Sequence, residues 1–111
     1  MIGGNVTARI EAFRNKSANT IGETTPNWQS VQTLRGWLDL SSGESRYNTY
    51  STKMQESTHV FLCDYVPLHE WVKAEQSRMY INGKHYDILL IDNPMGMNQH
   101  YEIYLKYTGG W

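Results

Sequence analysis

Short stretches in which apolar and polar residues alternate follow one another along most of this chain. The clearest pair is formed by residues 78–81 and 84–91, which only Asn82 and Gly83 separate. Alternation with a period of two places successive side chains on opposite faces of a β-strand. Asn-Gly is the preferred dipeptide of a two-residue type I′ turn, because both central residues need a positive φ. The pattern therefore predicts a β-hairpin.

The same pattern predicts four further strands, over residues 5–14, 28–40, 57–65 and 100–107. In the first of them Val6, Ala8, Ile10 and Ala12 share one face, and Glu11 lies on the polar face. The apolar face of the second strand is expected to contain four side chains: Val31, Leu34, Leu38 and Leu40. Gly36 in the same strand indicates a bulge or a close approach of another backbone.

The third strand has a nearly continuous apolar centre from Val60 to Cys63, which predicts burial on both of its faces. In the last strand, Tyr101, Ile103, Leu105 and Tyr107 are expected to face the core together. Residues 108–111 are predicted to form an irregular tail. Residues 15–27 and 66–76 are predicted to be surface segments that become ordered on docking to a partner.

One short helix is predicted after the second strand. Ser41 and Glu44 have the spacing of a capping box, in which each side chain satisfies a free amide of the new helix. Tyr47, Tyr50 and Met54 then recur at a spacing that places them on one helical stripe. With about six strands and this helix, residues 1–111 are predicted to be a single, all-β domain, a small antiparallel β-barrel with long loops.

Composition argues for binding instead of catalysis. A net charge of −1, without any basic run, gives no footprint for nucleic-acid phosphates. The chain is rich in tyrosine and tryptophan, and aromatic residues of this kind are enriched at protein interfaces. A barrel that stacks single-stranded nucleic acid on these rings, as an oligonucleotide-binding (OB) fold does, is the alternative.

No catalytic constellation is visible in the sequence. Cys63 is the only cysteine and lies within an apolar run, where a thiol acts as a small buried hydrophobe. The four histidines belong to four different predicted elements, so no metal-ligand spacing is present. We therefore expect no enzyme activity, no metal and no cofactor, although a small metal-dependent barrel enzyme with unrecognisable ligands stays open as a third class.

The N-terminal residues have no charged region followed by an apolar block, and no apolar run approaches the ~20 residues that span a bilayer. We therefore expect no signal peptide and no membrane contact. Candidates for protein contact are large side chains that have no evident core position or that lie on the helical stripe. They are Ile21, Trp28, Tyr47, Tyr50, Met54, Leu68, Trp71 and Trp111.

Three segments together resemble the head–tail joining, or head-closure (stopper), proteins of long-tailed bacteriophages and prophages. Residues 37–44 (WLDLSSGE) look like that family's strand running into a Ser-Gly-x-Glu helix start. Residues 57–65 (STHVFLCDY) resemble its Thr-His strand, with Asp64 where the family has Arg before Tyr. Residues 78–88 (RMYINGKHYDI) are similar to its Arg-hydrophobic-Tyr-x-Gly hairpin.

The resemblance implies a connector in the neck of a virion, assembled in the bacterial cytoplasm. Its copies would associate into a ring below the portal or adaptor protein, close the DNA-filled head and provide the surface to which tail or tail-terminator proteins attach. It would enclose DNA without sequence-specific binding. Ring size, and whether the isolated chain is a monomer, stay open at this point.

Overall fold

A computed structural model describes residues 3–15, 26–40 and 56–109 of the chain. In this part of the chain six strands form a closed antiparallel barrel in the order β1-β2-β3-β6-β5-β4. The strands are β1 (Val6–Asn15), β2 (Pro26–Leu40), β3 (His59–Asp64), β4 (Ser77–Ile81), β5 (Lys84–Asp92) and β6 (His100–Gly109). The predicted all-β barrel is confirmed. Pairing of β1 with β4 closes the sheet, so each of the six strands has a neighbouring strand on both sides over part of its length.

The Asn82-Gly83 hairpin forms as predicted. Ile81 pairs with Lys84, and the φ angles of Asn82 and Gly83 are +50° and +81°. Both values lie in the left-handed region that a type I′ turn requires. This local geometry fixes the register of β4 on β5 and places Arg78 beside Asp87 on the outer face.

The barrel is filled by inward side chains from all six strands, together with Val72 from the β3–β4 connection. Fully buried large side chains are Ile10, Phe61, Cys63, Met79, Ile81, Ile88, Ile103 and Leu105. Burial of each such aliphatic or aromatic side chain contributes about 1.5–3 kcal/mol to the free energy of unfolding. Among the described residues, no buried side-chain nitrogen or oxygen lacks a hydrogen-bond partner.

Gly36 permits the close approach that its position in β2 suggested. A Cβ atom at Gly36 would overlap the carbonyl oxygen of Leu62 and lie 2.8 Å from the ring of Phe61. At this residue β2 pairs with both Val6 of β1 and Cys63 of β3. The residues of β2 before Gly36 therefore pair with β1, and those after it pair with β3.

Three expectations about individual side chains are wrong. Leu40 is 74% exposed, because only β3 borders this end of β2. On β3 only Phe61 and Cys63 are buried, while Val60 and Leu62 point outward and are half-buried. Tyr107 is 42% exposed, because the ladder of β6 with β3 ends at Leu105, although the Tyr107 ring still contacts that of Tyr86.

Glu11 lies on the polar face with Arg9, as predicted, and yet it is only 8% exposed. Its carboxylate is covered by arginine side chains from β1 and β4. The predicted irregular tail is also wrong in part, because Thr108 and Gly109 belong to β6 and the Thr108 hydroxyl donates to the carbonyl of His85 at 3.1 Å. The predicted helix with its capping box, residues 41–54, lies outside the described residues.

Candidate interaction surfaces

Three of the five connections between strands leave the barrel at the same end. These are the β1–β2, β3–β4 and β5–β6 connections, and we call this the three-loop end. The antiparallel order of the strands dictates this grouping, because every second connection of such a barrel returns to one end. The opposite end receives the β2–β3 connection and the tight hairpin between β4 and β5.

The β3–β4 connection, residues 65–76, follows an irregular path that side chains of the barrel hold in place. The Gln32 amide donates to the carbonyl of Pro67 at 3.0 Å and accepts from the backbone N–H of His69 at 2.7 Å. The N–H of Glu75 donates to the carbonyl of Ile88 at 2.7 Å, and Val72 is buried in the core. The barrel therefore contacts this segment at several points, and the hypothesis that docking orders it stays a prediction.

Two of the predicted contact residues lie in this connection. Leu68 is half-buried and packs against the core, so part of its surface already has an intramolecular role. Trp71 is half-buried, and its ring meets the ring of His69 edge-on at 5.1 Å between centroids. The N–H of Trp71 also donates to Nδ1 of the same histidine. Trp71 is thus presented at the three-loop end in a fixed orientation.

Trp28 lies on the outer wall near the same end. It pairs with Phe13 across β1 and β2, and the two rings meet edge-on at 5.2 Å. The guanidinium of Arg78 covers a face of the Trp28 ring at 4.1 Å. Trp28 and Phe13 also line an open groove of about 470 Å³ together with Glu75, Gln76, Ser77, Asp87, Ile88 and Leu89.

The β5–β6 connection contains two exposed methionines that sequence reasoning missed. Met95 is 92% exposed and Met97 is 57% exposed, around a 3-10 turn at Pro94–Gly96. The side chains of Asn93 and Asn98 bond each other at 2.7 Å and brace this turn. The signal that could have found it is the same one that singled out Trp71, namely large apolar side chains in a segment that has no place in the core.

Five of the predicted contact residues cannot be placed on either end. Ile21, Tyr47, Tyr50, Met54 and Trp111 lie outside the described residues. Their role in contacts stays a prediction. Of the eight candidates, the structure places Trp28 and Trp71 near the three-loop end, and Leu68 packs against the core.

Groups that could perform chemistry lie apart in the described part of the chain. Cys63 is buried, and burial together with the nearby Asp64 carboxylate raises the pKa of its thiol to about 11. No cluster of three or more histidine, cysteine, aspartate or glutamate side chains suited to a metal ion occurs among these residues. Burial and the Lys84 ammonium lower the pKa of His59, which packs against the ring of Tyr86.

Among the described residues, the structure contains no helix with the length and apolar character needed to cross a membrane.

Comparison with known proteins finds similarity in structure only. No protein-family model and no curated protein matches the sequence. The fold is similar to the solution structure of protein SF1141 from Shigella flexneri 2a, with a TM-score of 0.69, 16% sequence identity, and coverage of 97% of this chain and 96% of that one. It is also similar to a chain in the virion of a native gene transfer agent particle, with a TM-score of 0.60, 14% identity and 96% coverage of both chains. At these identities the two likenesses establish a shared barrel fold across the whole chain.

Proposed function

We propose that this protein is a structural component of a phage-like virion and serves as a head–tail connector. In this role its copies form a ring below the portal or adaptor protein, close the filled head, and offer the surface to which the tail attaches. The observation that carries the proposal is the fold shared with a virion chain over 96% of both sequences. That end-to-end likeness agrees with the serial order of the three sequence segments that resemble head-closure proteins.

The form of the barrel supports a role in which partner proteins bind at its ends. In the closed sheet each strand already has a neighbour on both sides, which favours contacts through loops and outer walls over strand addition. At the three-loop end Trp71, Met95 and Met97 are presented on segments that internal hydrogen bonds brace. Aromatic and methionine side chains are enriched at protein interfaces, and a braced loop loses little entropy on docking.

The charge distribution suits a protein that surrounds DNA without gripping it. The net charge is −1, and the Glu11 carboxylate lies between Arg9 and Arg78 and offsets part of their positive charge. Phosphate binding needs clustered basic side chains that are available to the backbone of the nucleic acid. A lining that holds DNA weakly lets it leave the head during ejection.

The test is deletion of the gene from a strain that produces the particles, with complementation from a plasmid. We expect the protein in purified particles by mass spectrometry, immunogold label at the neck, and heads without tails when the gene is deleted. Portal, capsid and tail-tube reading frames beside the gene would agree with this outcome. Normal tailed particles from the deletion strain would overturn the proposal. Retention of single-stranded oligonucleotides on filters, weakening with salt, would instead favour the OB-like alternative.

A further inference from the structure

The outer wall formed by β2, β3, β6 and β5 carries apolar side chains edged by carboxylates. We call this surface the acidic wall. It consists of two rows, and within each row the side chains lie opposite one another on neighbouring strands. The rows are Trp37–Leu62–Glu102–Asp92 and Asp39–Val60–Tyr104–Leu90.

The apolar part of the acidic wall lies over a core that is already filled. Trp37 is 44% exposed, and Val60 and Leu62 are half-buried although their neighbours Phe61 and Cys63 supply the inward face of β3. A strand that is apolar on both faces is typical of a sheet covered on both sides. Contiguous apolar surface on an outer wall marks an interaction site.

The carboxylates of the same wall are crowded. Asp92 and Glu102 lie directly opposite each other on β5 and β6, and Glu102 also bonds His100 at 3.2 Å and accepts from the Tyr104 hydroxyl at 3.1 Å. Burial and the Glu102 charge raise the pKa of Asp92. With Asp39 the wall holds three carboxylates, and a positively charged partner group would relieve the repulsion between two of them.

The opposite side of the barrel carries complementary chemistry. In the closed strand order, β1 lies three positions from β6 and β4 lies three positions from β3, so the outer faces of β1 and β4 point away from those of β3 and β6. On β1 and β4 the guanidinium of Arg9 lies 4.5 Å from the Tyr80 ring and that of Arg78 lies 4.1 Å from the Trp28 ring. We call this surface of β1 and β4 the basic wall. Glu11 lies between Arg9 and Arg78, so the side chains of these two strands bear two positive charges against one negative, and Asp87 of β5 lies beside Arg78.

We infer that the acidic wall of one copy of this protein packs against the basic wall of the next copy. Planar guanidinium groups pair with carboxylates and stack on aromatic rings, which are the two kinds of group that the acidic wall offers in Asp92, Glu102, Tyr104 and Trp37. Contact between two different, opposite surfaces is heterologous and builds a ring when its rotation closes. The inference rests on the proposed connector function, to which it assigns the surfaces between neighbouring copies.

Cross-linking of two cysteine variants tests this contact. Val60→Cys places a thiol on the acidic wall, and Thr7→Cys places one on β1 two residues before Arg9. The native Cys63 is 1% exposed and does not compete for the reagent. The two variants, which carry tags of different mass, are mixed at high concentration and treated with a bis-maleimide. We expect the mixed Val60→Cys/Thr7→Cys product to exceed either homodimer several-fold.

Two further measurements complete the test. Adding Asp92→Arg to the Val60→Cys variant should abolish the mixed product. Adding Arg9→Glu to the Thr7→Cys variant as well should restore it. Lys73→Cys, an exposed position at the three-loop end, is the matched control and should give only background product. Mixed product at the background level, or homodimers in excess, overturns the assignment of these walls. The presence of the protein in purified particles is measured separately. A failed cross-link therefore does not contradict the virion role, and absence of the protein from particles does not contradict the contact between the two walls.

Discussion

The carboxylate of Glu11 accepts a hydrogen bond of 2.7 Å from Nε of Arg78, 67 positions later in the chain. The two residues face each other across β1 and β4, the pair of strands that closes the barrel. Arg9 donates to the second carboxylate oxygen at 3.1 Å. One nearly buried carboxylate therefore holds two guanidinium groups at the seam of the sheet, and each of these also covers an aromatic ring.

Replacing Glu11 with alanine should destabilise the barrel. The change removes both ion pairs and leaves Arg9 and Arg78 without their carboxylate on a partly desolvated wall. We expect the free energy of unfolding to fall by about 1–3 kcal/mol, since hydrogen bonds to a charged group contribute about that much. Urea unfolding followed by tryptophan fluorescence measures it. Glu70→Ala, at an exposed position, should change stability by no more than ~0.5 kcal/mol and is the control.

Gly36→Ala should have a large effect for a single methyl group. The new Cβ would overlap the carbonyl oxygen of Leu62, a backbone atom that cannot move without disturbing the β2–β3 pairing. We expect a loss of about 2–3 kcal/mol, as for overpacking of a rigid site. Gly96→Ala is the matched control, because no atom lies within 4 Å of its Cβ and only its φ of +65° opposes the change. A loss for Gly36→Ala no larger than for this control would contradict the close approach.

The six strands and the hairpin were accessible from sequence because they depend on local signals. A period of two in the apolar pattern indicates the strands, and the Asn-Gly turn fixes the register of β4 on β5, without knowledge of the rest of the chain. Gly36 was also informative, since glycine inside a strand points to a close contact whatever the partner is. These features are properties of short segments, and the structure contains them with boundaries shifted by one or two residues.

The burial of Glu11 was not accessible, because it depends on which strand closes the barrel. Only the pairing of β1 with β4 brings Arg78 opposite Glu11, and no local pattern encodes a contact across 67 positions. The register shift between Ile10 and Glu11, which leaves Val31 as an extra residue in β2, is equally non-local. The acidic wall was missed for the same reason, since Trp37, Leu62 and Glu102 become neighbours only across three strands.

The thiol of Cys63 should be inert in the folded protein. Burial and the Asp64 charge raise its pKa to about 11, so the reactive thiolate is scarce at pH 8 and the sulfur is also shielded from reagent. We expect a disulfide reagent such as dithionitrobenzoate to label the native protein only as fast as it unfolds. In 8 M urea the thiol should react at the rate of a free cysteine. Rapid stoichiometric labelling without denaturant would contradict the packing of β3.

Gln32→Ala should release the β3–β4 connection from the barrel while leaving the barrel folded. The substitution removes the bonds from the Gln32 amide to Pro67 and His69. Each such bond contributes about 0.5–1.5 kcal/mol, and their loss is confined to an exposed segment. Amide exchange at His69 should become faster, whereas the core amides of β3 and β6 should keep their rates. Gln29→Ala, exposed on the same strand, should leave exchange at His69 unchanged.

Asp92→Asn should stabilise the isolated protein near neutral pH. Because burial and Glu102 raise the pKa of Asp92 above its unfolded value of 3.8, the folded state prefers the protonated carboxyl, and ionisation costs stability as the pH rises through that pKa. Asparagine removes this charge, and we expect a gain of about 0.5 kcal/mol at pH 7 that vanishes near pH 3, where Asp92 is protonated in both states. Urea unfolding at both pH values measures the difference.

Asp87→Asn is the control for this prediction. Because Asp87 lies between Arg78 and Lys106, removing its charge should not raise the free energy of unfolding. A less stable Asp92→Asn protein at pH 7 would show that the carboxylates of the acidic wall are not in conflict.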